Sequence, residues 1–229
     1  MRIRFFIVFL PIMVVCFGFF GVVNGQTPAP QQEIILSWQA LNFFPANFEG
    51  KALASPFSPI LISVEATENG KFTDLSQSSI SWKMDNKFLQ SGIGLKEVLF
   101  RVEKNKGDFH IIQVSIEKNG MKSQESVLIP IAPQTLIVDL PYEGNVISSN
   151  IENTIKAIPY FFNIKTLNEL SFFWQINDRK EGGKSNNTLI LKTSAPQTKS
   201  QSVIEITASA QNNENPLEFA KTKVWLSVK

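Results

Sequence analysis

Trp82 and Trp174 lie 92 residues apart in matching surroundings. Ile80-Ser81-Trp82-Lys83-Met84-Asp85-Asn86 aligns with Phe172-Phe173-Trp174-Gln175-Ile176-Asn177-Asp178, with apolar residues at the same alternate positions. At the same offset Ile112, Val114 and Ile116 match Ile204, Ile206 and Ala208, and the polar Gln113 and Ser115 match Glu205 and Thr207. Period-two alternation is what a strand with one buried face requires. Shared parity constrains further, because a one-residue slip would turn every apolar side chain to solvent. Upstream, Phe48-Glu49-Gly50 resembles Tyr142-Glu143-Gly144, and Ile62 and Val64 pair approximately with Ile155 and Ala157. Downstream, Val127, Ile129 and Ile131 resemble Val224, Leu226 and Val228, now 97 apart. The drift predicts a longer loop in the second copy at Gln211-Asn212-Asn213-Glu214-Asn215-Pro216, where Asn-Pro and clustered Asn favour loops. The body is one unit written twice.

Each copy spans about 95 residues of short strands separated by turn signals. Strands are expected near 33–39, 59–66, 79–85, 97–103, 109–117 and 125–132, then near 134–140, 153–160, 171–177, 187–192, 202–210 and 221–228. Glu68-Asn69-Gly70, Asp85-Asn86, Lys106-Gly107-Asp108, Lys118-Asn119-Gly120 and Gly182-Gly183 mark turns. No long segment carries a helical period with caps. Short strands at this spacing around a central Trp predict an all-β chain of two tandem β-sandwich domains, 33–132 and 133–229.

These units resemble immunoglobulin-like (Ig-like) domains, with a Trp on the third strand and a long alternating sixth strand. The paired Cys of antibody domains is absent, and Val64 and Val114 stand to fill that space. The units are also similar to polycystic-kidney-disease-type domains, although Trp82-Lys83-Met84-Asp85-Asn86 keeps only the outline of that signature. Trp38-Gln39-Ala40, Phe48-Glu49-Gly50-Lys51-Ala52-Leu53, Ala157-Ile158-Pro159-Tyr160-Phe161-Phe162 and Trp174-Gln175-Ile176-Asn177 resemble uncharacterised exported tandem Ig-like proteins of bacteria, over most of 33–229. The resemblance implies fold and location and carries over no catalytic residue.

Ahead of the repeats, Met1-Arg2-Ile3-Arg4 is a basic start, and the nineteen residues from Phe5 to Val23 carry no charge. Val23-Asn24-Gly25 offers small or tolerated residues before a cut at Gln26. This order fits a secretory signal peptide at 1–25, and an uncleaved membrane anchor of similar length fits as well. Pro11, Gly18 and Gly21 weaken a long rigid helix and favour cleavage. Either way the body is extracytoplasmic. Cys16 follows Val15 rather than a small residue, so it is read as part of the apolar run and not as a lipid acceptor. Residues 26–32 form a short polar linker.

Removing 1–25 takes two Arg and no acid, leaving 20 bases against 20 acids. A net-zero body argues against a nucleic-acid partner. With Cys16 and His110 the only Cys and His, Cys/His metal sites, disulfides and Cys-His machinery within a mature monomer are excluded, and Ser-His-Asp machinery is not expected. Asp74, Asp85, Asp108, Asp139 and Asp178 are scattered, and Asp85-Asn86 and Asn177-Asp178 occupy the same turn in both copies, which suits turn chemistry better than paired-carboxylate catalysis. Asp139, Glu143 and Glu152 lie near the domain junction without a dense acidic run, so a calcium ion there is left open. His110 shares the inward parity at a strand start and is expected to be partly buried. Gly92, Gly94, Gly182 and Gly183 make no phosphate loop, and Asn186-Asn187-Thr188 matches a glycosylation acceptor by pattern alone.

The aromatic clusters, Trp38, Phe43, Phe44 and Phe48 and then Tyr160, Phe161, Phe162, Phe172, Phe173 and Trp174, are expected to be mostly core. Phe161 and Phe173 fall on the other parity or in loops, and Trp225 points outward from the last strand. No catalytic, cofactor-binding or metal residue is assigned, and no cofactor is expected. The expected function is a non-enzymatic cell-envelope module, structural, adhesive or assembling, that binds protein or glycan partners through its sandwich surfaces and meets the membrane only through 1–25 if that segment is retained. Two alternatives stay open: a carbohydrate-binding accessory or envelope enzyme, and an N-terminally anchored subunit of a secretion or pilus-like complex.

Overall fold

Alternating segments become strands wherever an apolar stripe can be buried. The computed structural model describes residues 32–195 and 202–229. The expected signal or anchor at 1–25, Cys16 and all but the last residue of the linker lie outside them. The first half contains β1 (Gln32–Ala40), β2 (Pro59–Glu68), β3 (Lys71–Phe72), β4 (Ser79–Met84), β5 (Lys87–Ile93), β6 (Glu97–Arg101), β7 (Phe109–Lys118) and β8 (Met121–Pro130). The second contains β9 (Thr135–Asp139), β10 (Val146–Ile147), β11 (Glu152–Tyr160), a 3₁₀ turn (Leu167–Glu169), β12 (Leu170–Ile176), β13 (Arg179–Ser185), β14 (Thr188–Lys192), β15 (Ser202–Asn212) and β16 (Phe219–Val228). The chain is all-β.

The two halves repeat one topology. In the first, β2 pairs with β1 and β6 in one sheet, and β5-β4-β7-β8 form the other. In the second, β14-β11-β9 form one sheet and β13-β12-β15-β16 the other, with β10 added beside β16. Each half also crosses between its sheets by the same device: Ala54 bridges Ile131 in parallel, and β10 pairs with β16 in parallel. Antiparallel sheets facing one another in this order make an Ig-like sandwich, here in tandem.

Each half has its own core. Ile60, Ile62 and Val64 of β2 face Ile80, Trp82, Ile112, Val114 and Ile129 across the first. Ile155 and Ala157 of β11 face Phe172, Trp174, Ile206, Ala208 and Leu226 across the second. The two indoles are treated alike. Trp82 Nε1 donates to the Leu95 carbonyl at 3.0 Å and Trp174 Nε1 to the Asn186 carbonyl at 3.3 Å, each in the segment that follows the hairpin partner. A buried indole N–H needs such an acceptor.

The turns after the Trp strands also match. Asp85 and Asn86 (φ 50° and 65°) and Asn177 and Asp178 (φ 46° and 64°) form two-residue loops with both residues left-handed, as a hairpin that follows strand twist requires. Asp85 Oδ1 accepts the Ile111 N–H at 3.0 Å, and Asn177 Oδ1 accepts the Glu205 N–H at 2.9 Å.

The pairing corrects the alignment of the repeats in one place. Trp82 faces Val114 and Trp174 faces Ala208, so these equivalents are 94 apart, and Ile112, Val114 and Ile116 correspond to Ile206, Ala208 and Ala210. A two-residue slip keeps every side chain on its face, so alternation alone does not detect it. Part of the insertion therefore precedes β15. The offset of 97 downstream holds, because Val114 pairs with Glu125 and Ala208 with Thr222.

The halves do not merely adjoin, since Gln32–Lys229 is one compact unit. Phe43 leaves the first half, exchanges backbone hydrogen bonds of 2.7 Å with Phe161 and Phe162, and packs on the second core.

Candidate functional site

Alternate residues of the β4-β7-β8 and β12-β15-β16 sheets point away from the cores. In the first half the register sets Ser81, Ser115 and Gln124 in one row and Lys83, Gln113 and Ser126 in the next. Short hydroxyl side chains there leave a shallow polar depression of about 270 Å³. The equivalent face of the second half has diverged. Its rows are Phe173, Ser209 and Lys221, then Gln175, Thr207 and Lys223, then Asn177, Glu205 and Trp225. Trp225 is 57% exposed and Phe173 40%. Lys223 Nζ lies 2.7 Å from Glu205 Oε1, and this hydrogen bond raises the lysine above its ordinary pKa.

Beside this face, between the halves, lies an open cleft of about 900 Å³. Phe57 and Lys106 approach from the first half, and Gln134, Leu217, Phe219 and Lys221 from the second. Phe219, Lys221, Lys223 and Trp225 alternate along the outward side of β16, so cleft and face are continuous. Phe57 holds φ at 70°, a conformation uncommon for a bulky residue. Its N–H donates to the Val102 carbonyl at 3.1 Å and its carbonyl accepts from Arg101 at 3.4 Å.

Behind the cleft a buried polar knot ties the halves. Glu218 is fully buried. Asn212 Nδ2 donates to its Oε2 at 2.6 Å, the Asn163 backbone N–H to Oε2 at 3.3 Å, Gln134 Nε2 to Oε1 at 3.4 Å, and Asn163 Nδ2 also to Oε1. Asn163 Nδ2 reaches the Pro56 carbonyl at 2.9 Å, and Ser55 Oγ donates to the Phe161 carbonyl at 2.6 Å. Phe48 closes the rim edge-on to Tyr160 and Phe161, at 5.5 and 5.9 Å between ring centroids. Phe161, off the inward parity of its own half, is therefore buried because the other sandwich covers it. Trp38 is half-buried with Lys51 Nζ 3.5 Å over its ring.

His110 is fully buried rather than partly so. Its Nδ1 lies 2.7 Å from Asp85 Oδ2, and its Nε2 accepts the Glu103 N–H at 3.4 Å, so both ring nitrogens are satisfied. Lys104 Nζ adds an ion pair at 2.9 Å. Burial pushes the Asp85 carboxyl up, but hydrogen bonds from Ile111, Lys104 and His110 outweigh it and hold the pKa at about 2 against an ordinary 3.8. A carboxylate lowered on folding adds stability above its unfolded pKa and loses it as pH falls through the folded value. The unfolding free energy from urea titrations is therefore expected to fall by about 2 kcal/mol between about pH 4 and pH 2, and Asp85→Asn should flatten that part of the profile. Position 204, the equivalent of His110 in the second half, is Ile, so this cluster belongs to one half only.

The other acids that the sequence singles out stay apart. Asp74 caps its own loop through Ser76, whose N–H and Oγ lower its pKa. Asp178 sits in its turn, Asp139 stands opposite Lys156, and Glu143 and Glu152 are exposed. Among the described residues no group of three or more His, Cys, Asp or Glu converges where a metal ion would bind. Glu218, Asn163 and Phe57 carry no signal in the sequence, since an acid in an Asn-rich loop and a Phe between prolines read as surface.

No protein-family model matches the chain, and none of the curated proteins matches it. Among solved structures it is similar to the fibronectin(III)-like modules of Clostridium thermocellum CbhA, with 13% identity over 85% of this chain and 93% of that one and a TM-score of 0.28. It is also similar to three N-terminal domains of the bacteriophage RB49 outer capsid protein Hoc, with 13% identity over 86% and 70% and a TM-score of 0.34. An I-band fragment of titin aligns at 12% identity over 88% and 65%, with a TM-score of 0.31. At these scores the Ig-like assignment rests on the strand pairing described above.

Proposed function

We propose that the protein is an exported, non-enzymatic binding module of the cell envelope. The exposed aromatic and lysine side chains on the outer face of the second half carry this reading, because a polar sheet face that presents Phe173 and Trp225 gains nothing in stability from them. The interlocked junction supports it, since a rigid pair of sandwiches holds such a face in fixed geometry at little ordering cost on binding. Charge balance and the apolar start at 1–25 support export and an envelope partner of protein or glycan.

Expression of the full chain followed by cell fractionation and mass measurement tests the proposal. The expected product is extracytoplasmic, retained on washed envelopes, and begins at Gln26 if the signal is cut or at Met1 if it anchors. A full-length product confined to the cytoplasm contradicts it.

A further inference from the structure

We propose that the cleft between the two halves, together with the β16 face it opens onto, binds an acidic glycan, a chain of sugar rings bearing carboxylates. The inference deepens the binding-module reading and rests on it.

Charge comes first. Lys106 and Lys221 line the cleft, and none of the cleft-lining side chains is acidic, although the mature body as a whole is neutral. Farther along β16, Lys223 is offset by Glu205 and feels Asp178 at the turn, so the cationic end is the cleft end. Among the described residues no acid pairs with Lys106 or Lys221. An anionic ligand meets two ammonium groups without displacing an internal partner.

Shape and chemistry narrow the anion. Phe57 and Phe219 are 40% and 48% exposed on opposite walls. Exposed aromatic rings on the walls suit the apolar faces of sugars, and the two lysines stand where the carboxylates of such a chain would lie. From Phe219 to Trp225 the outward side of β16 runs roughly 20 Å at strand rise, long enough for several rings in a row. A bare lipid headgroup surface has no use for the two ring walls.

Phe57 adds a second observation, and it differs from the equally left-handed Phe161 (φ 64°) in that Phe161 is buried. Left-handed backbone at a residue with a Cβ costs on the order of 1 kcal/mol, and glycine would avoid it. The strain is kept at a residue whose ring forms a wall of the cleft rather than part of a core.

The test uses the full chain and polygalacturonate as probe, with dextran as the neutral polymer, polyglutamate as the acidic peptide and phosphatidylglycerol vesicles as the anionic lipid surface. Expected is polygalacturonate binding that weakens with added salt and exceeds binding to the other three. Phe57→Gly and Lys221→Glu should each weaken it about tenfold, the scale of one charge-assisted or stacking contact. Lys83→Glu on the first-half face should leave it unchanged. Glycine accepts φ 70°, so Phe57→Gly should keep or raise the thermal midpoint while losing affinity, a split that a structural role would not give. Absent polygalacturonate binding, binding indifferent to both variants, or stronger binding to polyglutamate or vesicles overturns the inference. If polygalacturonate fails while the protein stays on washed envelopes, only this inference falls. If retention fails too, the module reading falls with it.

Discussion

Trp82→Ala and Trp174→Ala are each expected to destabilise the protein by about 3–5 kcal/mol, the range for emptying a large aromatic site in a packed core. Trp82 is fully buried and Trp174 nearly so. Each fills the centre of its sandwich and donates its only N–H to a backbone carbonyl. Truncation opens a cavity and also strips the Leu95 or Asn186 carbonyl of that donor. Trp→Phe separates the two terms: much of the volume returns and the indole N–H donor does not, so about 1–3 kcal/mol should remain lost. Trp225→Ala, on the open face, should change stability by less than about 0.5 kcal/mol. Equilibrium urea unfolding of the five variants reads all of this. A large loss from only one of the two core substitutions would mean that the halves are not equivalent.

Glu218→Ala is expected to cost about 2–4 kcal/mol, more than its place in a polar loop suggests. The carboxylate is the common acceptor for Asn163, Asn212 and Gln134, which approach from separate segments. Without it the Asn212 amide and the Asn163 backbone N–H lose this acceptor, and the Asn163 and Gln134 amides keep only the Pro56 carbonyl. Asn163 also reaches across to Pro56 of the first half, so its loss of orientation loosens the junction as well as the second half. Calorimetry should then show the wild-type transition resolving into two, with the second half melting first. Glu218→Gln keeps the shape and one acceptor oxygen and should cost less. A Glu218→Ala variant as stable as wild type would mean that the knot does not join the halves.

The sequence carries most of the strand positions because burial writes them directly. β4 puts three apolar side chains on one face and β12 four, and a strand with one wet face leaves no other pattern. β5 and β13 escape notice for the opposite reason. Lys87–Ile93 and Arg179–Ser185 are edge strands; the first is exposed along most of its length, so neither alternation nor apolar content marks it. The β15 alignment slips by two because parity is the only periodic signal and survives such a slip. Phe161 is illegible because its cover comes from the other half, and Glu218 because its partners Gln134, Asn163 and Asn212 lie on segments separated in the sequence. Parity describes a side chain relative to its own sheet and is silent about a neighbouring domain. Trp225, with no neighbour to cover it, points outward as its parity requires.

Hydrogen exchange at the four indole N–H groups, followed by NMR on the folded chain, tests the duplicated core most directly. Trp82 and Trp174 should exchange slowly and at comparable rates, close to the global opening limit, because each N–H is bonded within an equivalent interior. Trp225 should exchange orders of magnitude faster. If either Trp82 or Trp174 exchanged as fast as Trp225, the two halves would not share one interior design.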